Sequence, residues 1–134
     1  MAVITVPAQV ERWDDVHEFV AAAMQEAGIA PKLQNSIFVA AEEIYVNIAS
    51  YAYPAQGGEV TISLSSGPGK FALEFRDSGT PYNPLEKDDP DTSVPAAERE
   101  IGGLGVFMVK KMMDKVTYRF EDNMNILAME KYIV

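Results

Sequence analysis

The stretch from Glu59 to Phe75 constrains the fold more than any other part of the chain. Val60, Ile62 and Leu64 alternate with polar neighbours, Gly67-Pro68-Gly69 turns the chain, and Phe71, Leu73 and Phe75 alternate again. Residues two apart in a strand share a face, so the pattern predicts an antiparallel hairpin with one apolar side. That side needs a cover. Upstream, Val10, Trp13, Val16, Val20, Ala23, Met24 and Ala27 recur at three and four between Gln9 and Ala27, and Gly28 follows as a stop. Pro31 opens a second helix through about Tyr51, with Leu33, Ile37, Ala40, Ala41, Ile44 and Ile48 on its core stripe.

Ala2 to Val6 reads as a short strand. A third helix is expected from about Leu104 to Met113, and Val116–Phe120 with Ile126–Lys131 form a closing hairpin around Asp122-Asn123. Asp77 to about Gly103 holds Pro81, Pro84, Pro90 and Pro95, many acids and no periodicity. A loop of that length in a compact domain is usually functional, and a disordered insertion is the alternative. The order of elements predicts a single α+β domain over 1–134. Its architecture is a two-layer sandwich, with a mixed, mainly antiparallel sheet covered on one face by helices.

At 134 residues and 48% hydrophobic content the chain can bury one core without staples. Its net charge of -9 repels phosphate backbones and anionic lipid, so neither nucleic acid nor a membrane is an expected partner. The absence of cysteine excludes a disulfide framework, a thiolate zinc site and a cysteine nucleophile. Met1 to Val10 lacks a basic stretch before an apolar run, so no signal peptide is expected, and the cytoplasm is the default location.

Three polar features stand out. Glu43 and Asn47 are i,i+4 neighbours on the second helix, with Ser50 one turn further, either a solvent-facing stripe or a site. Asp77 ends a strand and precedes Ser78-Gly79-Thr80-Pro81, where it can make an Asx-turn or serve as a fixed acceptor for an exocyclic amine. Gly102-Gly103-Leu104-Gly105 opens a helix, where free N–H groups favour anions, but no Gly-Lys-Ser/Thr follows as in a Walker A loop.

Taken together and in order, Glu43-x-x-x-Asn47, Asp77-x-Gly79-x-Pro81-Tyr82-Asn83-Pro84 and Gly102-Gly103-Leu104-Gly105-Val106-Phe107-Met108-Val109 resemble the Bergerat-fold ATPase superfamily. Within it the chain is most similar to the anti-sigma-factor serine-protein kinases. The resemblance implies ATP and Mg²⁺ as cofactors. It makes Glu43 the general base toward a serine hydroxyl and Asn47 the Mg²⁺ ligand. Asp77 would hold the adenine amino group, and Gly79 would leave room for the ring. Gly102, Gly103, Leu104, Gly105 and Val106 would form the phosphate-binding turn, with Arg99 as a nearby cation and a mobile lid over about 85–103.

The implied partners are a sigma factor and a small anti-anti-sigma protein that serves as substrate, and relatives of this kind are often homodimers. A non-catalytic, nucleotide-gated binding switch is the alternative. A catalytic piece related to histidine kinases is a third reading, disfavoured because no acceptor domain accompanies it. Tyr51, Ile101 and Asn125 depart from the pattern, Asn125 standing where some relatives carry a phosphate-binding Thr. His17 reads as an ordinary helix-surface residue, Lys110 and Lys111 as surface charge, and the methionines of the third helix as adaptable core.

Overall fold

The computed structural model describes residues 2–51, 58–81, 83–86 and 103–133, with the backbone alone for 51, 86 and 103–106. Strand β1 (Ala2–Pro7) leads through a 3₁₀ turn at Val10–Arg12 into helix α1 (Trp13–Glu26) and helix α2 (Pro31–Tyr51). The hairpin β2 (Glu59–Gly67) and β3 (Lys70–Asp77) follows, then α3 (Gly103–Met112) and the hairpin β4 (Lys115–Glu121) and β5 (Met124–Tyr132). The helix expected from Gln9 thus starts at Trp13, because its first residues wind more tightly.

Local chemistry accounts for the boundaries. Gly28 adopts φ 70°, and α1 ends with Gly28 N–H bonded to Gln25 C=O (3.1 Å) and Ile29 N–H to Met24 C=O (3.1 Å). That pair of bonds is a Schellman stop, which needs a left-handed residue at this place. In the β2–β3 turn Pro68 supplies its fixed φ and Gly69 the positive φ of 78° that a type II turn requires. The β4–β5 turn carries positive φ at both Asp122 (54°) and Asn123 (61°), the type I′ geometry that matches strand twist.

The five described strands run in the order β1-β2-β3-β5-β4. All four pairings are antiparallel, so the mixed character expected from sequence is not found among the described strands. The β2–β3 and β4–β5 pairs are hairpins, and β5 returns to lie between β3 and the edge strand β4. The register lines up Ile4, Ile62, Phe75 and Leu127, and beside them Ala2, Leu64, Leu73 and Met129. These rows meet Val16, Val20 and Met24 of α1, Ile37, Ala40, Ala41 and Ile44 of α2, and Val109 of α3 in one core. The opposite face carries Thr5, Thr61, Glu74, Arg76 and Arg119, held by a Thr5–Thr61 hydroxyl bond (2.9 Å) and by Glu74–Arg76 and Glu74–Arg119 ion pairs. Two layers with helices on one face result, as the alternation predicts.

Tyr45 ties the layers together. It is fully buried, and its hydroxyl donates to the C=O groups of Pro7 (3.0 Å) and Gln9 (2.6 Å). This fixes α2 against the β1–α1 connection, one residue along from Ile44, whose side chain walls the cavity described next. Among the described residues no helix is long and apolar enough to cross a membrane.

Candidate nucleotide site

A third row on the helix-covered face of the sheet aligns Val6, Val60, Asp77 and Asn125. It begins apolar and ends in two polar residues on adjacent strands. Asp77 is 3% exposed and Asn125 5%, and they are the buried polar residues among those described. Burial without partners would cost about 1–3 kcal/mol for each polar group, so the pair must be internally satisfied.

It is. Asp77 Oδ1 accepts from Gly79 N–H (3.0 Å) and from Asn125 Nδ2 (3.0 Å). The Asx-turn foreseen for Asp77 is therefore formed, and it uses one carboxylate oxygen only. Asn125 Nδ2 also donates to Thr80 C=O (3.1 Å), and Asn125 Oδ1 accepts from the Tyr118 hydroxyl. Turning the amide over would aim its oxygen at a carboxylate and a carbonyl, so these partners dictate its orientation. Burial pushes the Asp77 carboxyl above its usual range, against the opposing pull of the Asn125 and Gly79 bonds.

Beside Asp77 a cavity opens with about 360 Å³ of empty space counted out to solvent. Ile44 and Ile48 of α2 and Phe75 and Leu127 of the sheet give it apolar walls, while Asn47 and Asp77 line it together with Pro84, Tyr118 and Asn125. Asn47 and Asp77, 30 positions apart in sequence by their numbers, thus face one space. Glu43 stands one helical turn before Asn47 and is half-buried. Its carboxyl is raised by burial first and by neighbouring Glu42 second.

The remaining expected residues divide. Gly79 sits at the cavity's Asp77 end through its bond to Oδ1. Gly103, Leu104, Gly105 and Val106 form the first turn of α3, the helix start anticipated for anion binding, and α3 packs on α2. Gly102, Arg99, Ile101 and most of the expected lid lie outside the described residues. Lys111 is exposed over the Phe107 ring (5.2 Å), and Met113 is buried in the core. His17 is exposed on α1, stacked on Phe38 at 4.2 Å.

Asn125, a departure from the Thr that some relatives carry at this place, has its side chain bonded to Asp77, the residue expected to read the base. Tyr118 was not singled out at all. A signal for Asn125 was present: it precedes Leu127 and Met129 at spacing two, a polar residue on a core-facing alternation.

The donor set suits an adenine nucleotide. A buried carboxylate meets an amino group and apolar walls flank a ring. For a metal ion, no group of three or more His, Cys, Asp or Glu occurs among the described residues. The Asn47 amide oxygen with phosphate oxygens and water would make up the hard-oxygen set that Mg²⁺ prefers.

Residues 6–131 match the family model described as histidine kinase-like ATPase domain. The chain is 26% identical over 132 residues to the serine-protein kinase RsbW of Bacillus mycoides, covering 96% of this chain and 82% of that protein. It is 29% identical over 134 residues to the serine-protein kinase RsbW of Halalkalibacterium halodurans, covering 97% and 82%. Among solved structures, the RsbU and RsbW domains of Rv1364c from Mycobacterium tuberculosis match at TM-score 0.66 and 13% identity, over 99% of this chain and 33% of that one. The catalytic domain of histidine kinase ThkA matches at TM-score 0.50 and 16% identity, over 99% and 98%. These last two are similarities of fold.

Proposed function

The chain belongs to the histidine kinase-like ATPase domain family, and from that premise we propose that it is an ATP-dependent serine-protein kinase of a partner-switching system. One observation carries the reading: a helix-borne amide, Asn47, and a buried strand-end carboxylate, Asp77, line the same apolar-walled cavity. Relatives over nearly the whole chain that are named serine-protein kinases support it.

In this reading Asp77 accepts from the adenine amino group and Asn47 supplies the protein oxygen to Mg²⁺, which offsets phosphate charge in an acidic protein. The first turn of α3, Gly103 to Val106, offers the phosphates the backbone N–H groups that a helix start leaves without intrahelical partners. Glu43 takes the proton of a serine hydroxyl as its oxygen bonds to the γ-phosphorus and ADP leaves. The substrate is a small anti-anti-sigma-type protein. A sigma factor is the competing partner, the protein acts as a homodimer, and the setting is the cytoplasm. Nucleotide state then selects the partner.

The test is incubation with Mg·ATP and candidate single-domain partners, read by mass. A stable added phosphate on serine is expected. Glu43→Ala should lower transfer by about 10²–10⁴-fold, the usual worth of a general base, while ADP affinity stays near the parent value. Unchanged transfer in that variant overturns the role of Glu43. If the parent adds no phosphate yet ADP and ATP drive different partner choices, the non-catalytic switch is correct. The departures at Tyr51, Ile101 and Asn125 are what favour that second reading.

A further inference from the structure

We infer that Asn125, clamped by Tyr118, is a positioning residue. It fixes which oxygen of Asp77 faces the cavity, and so sets the choice of a 6-amino purine over a 6-oxo purine. The inference rests on the proposal that Asp77 accepts from the base.

The argument begins with strand register. Asp77, Asn125 and Tyr118 lie on the adjacent strands β3, β5 and β4, and the first two are direct partners. Tyr118 stands opposite Leu127, two residues along from Asn125, so its side chain points to the same face and reaches Asn125 diagonally. Donors and acceptors then run one way. The Tyr118 O–H donates to Asn125 Oδ1, and Asn125 Nδ2 donates to Asp77 Oδ1 and to Thr80 C=O. With the Gly79 N–H also on Oδ1, both described bonds to Asp77 end on the same oxygen. Oδ2 is the oxygen left to meet a base.

A carboxylate held by one oxygen cannot swing freely about its terminal torsion, which is otherwise broad. A 6-amino purine offers a donor at the 6-position and an acceptor at N1. A 6-oxo purine offers the reverse. An Oδ2 locked opposite the 6-position accepts from the first and repels the second. Once unlocked, the carboxylate can pivot to the N1–H of the second, and discrimination falls. Sites built to hydrogen-bond a particular group reject the analogue lacking it because a buried group is left unpaired. Tyr118 bonds Asn125 through its hydroxyl and its ring lines the cavity, so Tyr118→Phe removes that bond and keeps the wall.

The experiment is calorimetric titration of the full chain with ADP and with IDP in the presence of Mg²⁺, for the parent, Tyr118→Phe and Asn125→Leu. The parent should prefer ADP. The ADP:IDP affinity ratio should fall about tenfold in Asn125→Leu, the size of one hydrogen bond to a charged group, and several-fold in Tyr118→Phe. Loss of both nucleotides in equal proportion, or an unchanged ratio in Tyr118→Phe, would overturn the inference, since a purely structural role cannot move the ratio. Should Asn125→Leu fail to fold, Tyr118→Phe decides alone. Failure of the underlying proposal looks different: the parent itself binds ADP and IDP alike, or Asp77→Asn leaves the parent ratio intact.

Discussion

Replacing Asp77 by Asn separates what this residue does for the fold from what it does for a ligand. Both described hydrogen bonds to Asp77 end on Oδ1, from Gly79 N–H at 3.0 Å and Asn125 Nδ2 at 3.0 Å. An amide can place its oxygen there and keep both. Its NH₂ then takes the place of Oδ2 and opposes the adenine amino group, donor against donor. The lost interaction is a hydrogen bond to a charged group, worth about 1.5–3 kcal/mol, or roughly ten- to a hundredfold in ADP affinity. Stability should move the other way. Burial raises the Asp77 carboxyl above its unfolded value, so between the two values the folded chain binds more protons and stability falls as pH rises. Above that window the parent carries the full cost of a buried charge, which Asp77→Asn removes. The variant should therefore unfold at a higher temperature than the parent at neutral pH, with the gap closing as pH drops through the carboxylate range. Calorimetry with Mg·ADP and thermal unfolding across pH make the measurement. A variant that binds ADP like the parent refutes the ligand role. One that is less stable than the parent at neutral pH refutes the electrostatic reasoning.

Other expectations are independent. Glu42 contributes to the raised Glu43 carboxyl, second to burial, so Glu42→Gln should move the acid limb of the phosphoryl-transfer pH profile to lower pH; an unmoved limb counts against Glu43 as the base. Tyr45→Phe should cost about 1–1.5 kcal/mol in urea unfolding. The cost is at the low end because Pro7 C=O also accepts from Gln9 N–H (2.8 Å) and Gln9 C=O from Arg12 N–H (3.0 Å). A loss of twice that size would mean the connection rearranges. Asn123→Val should cost about 1–2 kcal/mol by forcing a β-branched residue to positive φ, and Asn123→Gly should cost nothing, in the same unfolding assay.

Much of this protein was decided in one dimension. The alternation through Val60–Leu64 and Phe71–Phe75 requires strands with one dry side, and the three-four recurrence in α1 and α2 requires helices that cover it. Pro68-Gly69 and Gly28 mark their own bends because few other residues tolerate those angles. Glu43, Asn47 and Asp77 were visible as candidates because each interrupts a pattern that is otherwise apolar or turn-forming.

Tertiary structure decided who shares a space with whom. Nothing in the chain's linear order states that β5 inserts between β3 and β4, yet that insertion is what places Asn125 against Asp77, 48 residues away, with Tyr118 bonded to Asn125 from the far side. Periodicity reports which way a side chain points from its own strand. Strand order and register depend on the summed burial of all the rows at once, and so a partner across the sheet is settled only when the whole core closes.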